Sequence, residues 1–377
     1  MRRLLMLTLL FSLVALGPGD PALAQFRLGA QLMTMYDDNV NNNYLSITDR
    51  VALLSLRMAR DWEGERHNTQ IFYIGSWNYF NTVNERAFHY HALGLTYSHL
   101  LGPEPHTTFN TGLTYNFRVN RASYTFYDHQ QISAYANLRH HLAERTLGRL
   151  SYTLRYLDFS ELADFNYVEH YAFAQLTQSF TTKTTLILET DLGMKIYTTA
   201  NVEESGAGRG YGRRITTSTP RVTQWAGIAR LGQGLREGTG LSLTAQYQRN
   251  LQKESRYLSS DYGLISDDEL FDDHYGYEGW QTSLMLTQLL PAGMVMKLAA
   301  SVQDRHYSER AAYDLSGNPI ADTRVDTRKA FSVHVDKSFR SLGIVLGLTY
   351  DYIRNASNDF YYDYNNRAIT MQLSIGH

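Results

Sequence analysis

Along most of the chain, apolar and polar residues take alternate positions. Between residues 109 and 119, Phe109, Thr111, Leu113, Tyr115, Phe117 and Val119 are interleaved with Asn110, Gly112, Thr114, Asn116 and Arg118. Successive side chains of an extended strand point to opposite faces, so this segment has one apolar and one polar face. The pattern recurs with Leu150, Tyr152, Leu154 and Tyr156 against Arg149, Ser151, Thr153 and Arg155. It recurs again with Ile369, Met371, Leu373 and Ile375 against Ala368, Thr370, Gln372 and Ser374. Extended over the chain, it predicts about sixteen strands. The first eight are 26–36, 48–59, 69–80, 88–100, 107–119, 130–141, 149–158 and 167–179. The rest are 185–197, 221–232, 241–251, 275–288, 294–306, 328–339, 343–353 and 367–377. The second, third, fourth and tenth alternate poorly, which makes fourteen the lower count.

The connections carry separate information. Every second one is short, as at Gly102-Pro103-Glu104-Pro105, Thr181-Thr182-Lys183-Thr184, Pro291-Ala292-Gly293 and Arg340-Ser341-Leu342. Those between are mostly longer and polar, running from Arg121 to Asp128, Thr198 to Pro220, Leu251 to His274, Tyr307 to Thr327 and Arg354 to Asn366. Tight turns at one end of a sheet and loops at the other are the habit of transmembrane barrels. The fold class expected is therefore all-β, an antiparallel up-and-down barrel with both termini at the turn end. Closure follows from backbone accounting: in lipid every N–H and C=O needs a partner within the protein. A polar second face then calls for a wet lumen, because unpaired polar groups are costly in a dry core.

The N-terminus adds a destination. Arg2 and Arg3 precede an apolar run from Leu4 to Leu16, a break at Gly17-Pro18-Gly19, and small residues at Ala22 and Ala24 before Gln25. Such a run is too short to span a bilayer and has the form of a cleaved export signal. The expected division is residues 1–24 as signal peptide and 25–377 as barrel. Composition narrows the choice further. With 35 Lys+Arg against 37 Asp+Glu the chain is near neutral, and no nucleic-acid partner is expected. The absence of cysteine rules out disulfides, thiolate metal sites and a lipid-modified N-terminal Cys. A mean hydropathy of −0.36 rules out a polytopic helical membrane protein.

Strand parity assigns charges to the lumen. The basic candidates are Arg57, Arg118, Arg139, Arg149, Arg155, Lys195, Arg230, Lys297 and Arg305; the acidic ones are Glu169, Glu189, Asp191, Asp336 and Asp351. Nine bases against five acids predict a mild preference for anions, and cross-strand pairing that merely solvates the wall is the competing reading. Asp261, Asp267, Asp268, Glu269, Asp272 and Asp273 gather carboxylates of the kind that suit Ca²⁺, but their spacing fits no EF-hand, and a solvated acidic loop is the plainer reading. Asp267, Asp268 and Asp272 are the metal candidates there. His89 and His91 share a strand face without a nameable third ligand, and belong to the interface or the lumen. Asp272, Asp273 and His274 suggest paired-acid chemistry at a loop rim, yet adjacent strand residues point opposite ways. No G-x-S-x-G, P-loop or H-E-x-x-H occurs. No cofactor is called for.

An export signal, an immediate first strand and the stretch Tyr36-Asp37-Asp38-Asn39-Val40-Asn41 at its far end resemble the opening of porin families of Gram-negative outer membranes. Related barrels accompany exopolysaccharide export and surface-lipoprotein translocation. The C-terminus departs from that pattern, since Leu373-Ser374-Ile375-Gly376-His377 ends in His where an aromatic residue is usual. The resemblance implies an outer-membrane channel for small hydrophilic solutes. Its expected partners are membrane lipid, lipopolysaccharide and the barrel assembly machinery, and a homotrimer is compatible with it. The alternatives are a conduit or accessory barrel for exopolysaccharide export or secretion, and a loop-rim hydrolase.

Overall fold

The structure, a computed structural model, describes residues 24–102, 106–205, 214–254 and 274–376. The expected signal peptide lies outside the described residues except for Ala24, and so do Asp261, Asp267, Asp268, Glu269, Asp272, Asp273 and His377.

The strands are β1 (Ala24–Asp37), β2 (Asp49–Glu63), β3 (His67–Phe80), β4 (Phe88–Leu101), β5 (Thr107–Asn120) and β6 (His129–Ala143). There follow β7 (Thr146–Phe159), β8 (Tyr167–Ser179), β9 (Thr184–Tyr197), β10 (Asn201–Ser205), β11 (Arg214–Ser218) and β12 (Arg221–Arg236). The last are β13 (Thr239–Lys253), β14 (Gly279–Leu290), β15 (Met294–Tyr313), β16 (Pro319–Phe339), β17 (Ile344–Ser357) and β18 (Tyr364–Gly376). Sixteen of them form one closed antiparallel barrel, each paired with its sequence neighbour; β10 and β11 form a separate hairpin between β9 and β12. The ring shuts where β1 pairs with β18, from Gly29 opposite Gly376 to Asp37 opposite Ala368. Closure leaves no sheet edge, so the ladder hydrogen bonds run right round.

Register turns the sequence alternation into two surfaces. Leu373, Leu32, Leu54 and Trp77 form one unbroken row across β18, β1, β2 and β3. The adjacent row is Ser374, Gln31, Ser55 and Ser76. Rows of the first kind face outward and stay exposed, some twenty leucines among them. Burying a leucine stabilises by roughly 2 kcal/mol, so an outside left in water would forgo tens of kcal/mol, well beyond the 5–15 typical of net folding stability. That face is built for lipid. Among the described residues no helix is long and apolar enough to cross a membrane; the strands do so.

Two expectations about connections need correction. Residues 307–327 form no long loop: β15 and β16 continue outward past bulges to Tyr313 and Pro319. Asp314 closes their tip by accepting the backbone N–H groups of Ser316 and Asn318, both at 2.9 Å, which also hold its carboxyl below its ordinary range. The strand expected from residue 275 begins at Gly279 instead. His274–Gly276 is a single 3₁₀ turn, so His274 does not sit on a strand.

Candidate functional site

All fourteen charged candidates share the inner parity defined by Ser374, Gln31, Ser55 and Ser76. Arg57 lies opposite Gly29 and Ile74, Arg118 opposite Tyr90 and His129, and Arg139 opposite Arg149. Arg155 faces Glu169, which faces Lys195 in turn. Asp191 and Glu189 lie two and three inner places further along β9 toward the turn, opposite Phe173 and Gln175, and Arg230 sits across from Ile187. Lys297 is opposite His334, Arg305 opposite Asp326, and Asp351 opposite Ser332.

These residues fall into two regimes along the barrel axis. At the loop end they are buried or half-buried, and engaged. The Arg155 guanidinium lies 3.1 Å from Glu169, whose other oxygen accepts the Tyr275 hydroxyl at 2.7 Å. The Lys195 ammonium stands 4.4 Å over Tyr167 and 5.1 Å over Tyr197, each geometry a cation–π contact. Asp191 accepts the Tyr171 hydroxyl at 2.7 Å; nearer the turns, Glu189 accepts from Gln175, with the part-exposed Arg230 at 3.8 Å. Arg118 lies 3.7 Å over Phe88, and Arg305 4.7 Å over Tyr277. At the turn end Arg57, Arg139 and Lys297 are exposed and form no ion pair among the described residues. Arg149 reaches the Asn137 amide oxygen at 2.7 Å once that amide is oriented to its hydrogen-bond network. Of the acids there, Asp336 is matched by His334 at 2.7 Å.

The loop-end burial has a specific cause: the chain before β14 is pulled onto the inner wall. Gln224 and Gln248 each donate to the carbonyls of His274 and Tyr277, and Asn250 donates to that of Tyr275 at 2.8 Å. Tyr275 is thereby seated with Leu157, Phe159, Tyr167, Tyr197 and Val222. Gly193 makes room for it, since a Cβ there would stand 2.3 Å from the Tyr275 hydroxyl.

The acidic-amide stretch after β1 works differently from a surface turn. Asn39, Asn41 and Asn43 are fully buried. Asn39 donates to the carbonyls of Asn43 and Asn365, while Asn366 donates to Asp37 at 3.0 Å and to the Asn39 carbonyl at 2.8 Å. The stretch thus ties β1 to β18 across the closing seam. Asp49 similarly accepts four backbone N–H groups, from Arg50, Asn81, Thr82 and Val83, and fixes the loop after β3. A third knot pairs Arg324 with Asp326 through two nitrogens, beneath Tyr307 and Tyr362. Beside it, burial raises the Asp359 carboxyl above its ordinary range, against the pull of the Tyr361 N–H and Arg324.

Several inner charges escaped the sequence reading. Arg27 pairs with Asp61 at 2.8 Å near the turn end, and Lys253 with Glu278 at 2.8 Å. Arg328 shares its parity with Asp336 on the same strand, so that signal was present; Arg324 and Asp326 lay in the segment read as loop. His89 and His91 prove to face outward. They hydrogen-bond each other at 2.9 Å, and Tyr73 reaches His91 at 2.7 Å, with Phe117 beside the pair. They therefore leave the lumen inventory. Among the described residues no group of three or more His, Cys, Asp or Glu is arranged to hold a metal.

Comparison with known proteins extends the picture. Residues 238–375 match the family model described as surface lipoprotein assembly modifier. No curated protein matches the sequence. Among solved structures, OccK8 (OprE) of Pseudomonas aeruginosa is similar at a TM-score of 0.51 and 9% identity, covering 96% of this chain and 99% of that one. OpdL of the same organism gives 0.51 and 11%, covering 94% and 99%. A bacterial polysaccharide outer membrane secretin gives 0.50 and 7%, covering 92% and 97%. Identities this low speak for the fold alone. With its apolar girdle and its alternation of turns and loops, the chain is a closed sixteen-stranded antiparallel β-barrel, the fold of the outer-membrane porins it resembles.

Proposed function

We propose that the barrel is a channel for hydrophilic solutes with a preference for anions. The observation that carries this reading is the imbalance of the inner wall. Its acids are largely engaged: Glu169 with Arg155 and Tyr275, Glu189 with Arg230, Asp191 with Tyr171, Asp336 with His334 and Asp61 with Arg27. Arg57, Arg139 and Lys297 keep their charge in open water at the turn end. Unpaired cations on a low-dielectric wall raise the local anion concentration and lower the entry barrier for negative solutes. Selection by size would fall at the loop end, where Tyr275 and its neighbours narrow the path.

Reversal potentials across a planar bilayer under a KCl gradient test the reading. The native channel should favour chloride, and Arg57→Gln/Arg139→Gln/Arg149→Gln should move the potential toward the cation limit. An unmoved potential would reject the anion preference.

A second reading is a dedicated exit for a surface-directed cargo, either a lipoprotein or a polysaccharide. The family match over residues 238–375 favours it. So does the polarity of the lumen, open and basic on the turn side and tyrosine-packed on the loop side. A deletion strain that loses one surface lipoprotein or polymer while keeping its uptake of small anions would select this reading over the first.

A further inference from the structure

The lipid-facing surface carries a charge pattern of its own, independent of the lumen. On β3 through β9 no outward position of the described residues is Lys or Arg; the outward ionisable groups there are histidines such as His89, His91 and His170, and Asp158 near the loop end of β7. Across the closing seam the surface differs. Arg354 on β17, Arg367 on β18 and Arg50 on β2 face outward near the loop-side ends of their strands, and Lys329 faces outward at the middle of the longer β16, level with Arg354. Lys329 and Arg354 are direct cross-strand partners, Arg367 is opposite Tyr352, and Arg50 is opposite Tyr36.

The four share a level. On the hydrogen-bond ladder the loop end of β1, Asp37, sits opposite Ala368, four residues inside the start of β18 at Tyr364. The basic positions step toward the turns in the same sense, from Arg354 through Arg367 to Arg50, so the strand tilt brings them into one band. Level with it and just below lie Phe331, Tyr350, Tyr352 and Tyr36, outward aromatics of the kind that mark the water interface. The cations therefore stand at headgroup depth, where they are affordable, and not in hydrocarbon. Like charges directly opposite each other are destabilising, which Lys329 and Arg354 would be without a shared anion. Two acids lie nearby: Asp363, paired with Arg354, and Asp304, which accepts from Thr327. Lys329, Arg367 and Arg50 keep exposed charge.

We propose that this arc binds the phosphate groups of an anionic glycolipid of the loop-side leaflet, laid across the β18–β1 seam. At about 4.8 Å per strand the arc from β16 to β2 is roughly 20 Å wide, enough to engage a headgroup with two phosphates at once. The lipid bridges five strands, including the β18–β1 pair that closes the ring, and so braces the seam from outside.

The test uses the purified full barrel in detergent and two probes: a bisphosphorylated lipopolysaccharide and the same lipid after removal of its phosphates. Bound lipid is counted by native mass spectrometry, and the temperature at which the compact folded band is lost is read in parallel. The native barrel should retain the phosphorylated lipid and gain heat resistance from it, and dephosphorylation should abolish both. Arg50→Gln/Lys329→Gln/Arg367→Gln should weaken retention about a hundredfold, following the usual contribution of each basic residue at an anionic surface. The outward pair Arg221→Gln/Arg249→Gln on β12 and β13 should leave it near native. Equal binding of the two lipids to the native barrel, or undiminished binding to the triple variant, would overturn the proposal. The two-lipid comparison needs no variant, so a misfolded triple variant leaves the test intact.

Discussion

The two ends of the lumen are made from the same strands and solve opposite problems. At the loop end, Tyr127, Tyr197, Tyr275, Tyr307 and Arg324 are buried within the barrel mouth, and Gln224, Gln248, Asn250 and Glu169 bond groups on other elements. At the turn end, Arg57, Arg139 and Lys297 extend into solvent, and the connections are too short to fold over them. The loop end behaves like the core of a soluble domain, and the turn end like a charged vestibule. A barrel wall of sixteen strands is too wide for side chains alone to fill. Whether a level is packed or wet is therefore decided by what the connections bring in. The long connections lie on one side only, and so does the packing.

The sharpest way to break this contrast is to disturb the packed end at its most buried ion pair. Asp326→Ala strands the Arg324 guanidinium, which is 2% exposed, with its principal counter-ion gone. Removing one partner of a buried pair typically costs 3–5 kcal/mol. The folded band should be lost at a clearly lower temperature, and the urea midpoint in detergent should fall. A midpoint within error of native would show that the loop end is not core-like.

A smaller effect is expected at the seam. Asn366→Ala removes donors to Asp37, the Asn39 carbonyl and Asn42, leaving buried acceptors unmatched at about 1–3 kcal/mol. Hydrogen exchange should rise in β1 and β18 before it rises in β5 to β8. Uniform exchange would mean that the stretch 37–43 is not what holds the ring shut.

How much of this was readable in advance depended on whether a residue's role is local. Strand number, strand spans and facing follow from a period of two, which any residue shares with its neighbours two places away; β5 and β7 were legible from their own side chains. The knots were not. Asn39 and Asn366 lie 327 residues apart, and the sequence gives no reason to join them until the register of β1 on β18 is known. Taken alone, the Asp37–Asn43 stretch looks like local turn chemistry, which Asp and Asn favour; its burial comes from the partner strand. The outward extension of β15 and β16 was missed for a related reason. Bulges between His306 and Tyr313 break the alternation that marks a strand. Tyr275 was hidden by the opposite error, an apolar-looking start to β14 that is in fact a turn drawn inward by three side-chain amides.

That turn supplies the functional test of the contrast between the two ends. Tyr275→Ala keeps the backbone anchors, because Gln224, Gln248 and Asn250 bond carbonyls rather than the ring. It removes the hydroxyl from Glu169 and the ring from its place beside Gly193, so the mouth widens, at the roughly 3–5 kcal/mol cost in stability of one buried aromatic. Single-channel conductance should rise several-fold, and larger uncharged sugars should begin to enter from the loop side. Anion preference should fall slightly at the same time, since Glu169 then keeps only Arg155 as a partner and presents more of its charge to the lumen. If conductance stays native while preference changes, the narrowest point of the path lies elsewhere, and the packed end is a structural cap rather than a sieve.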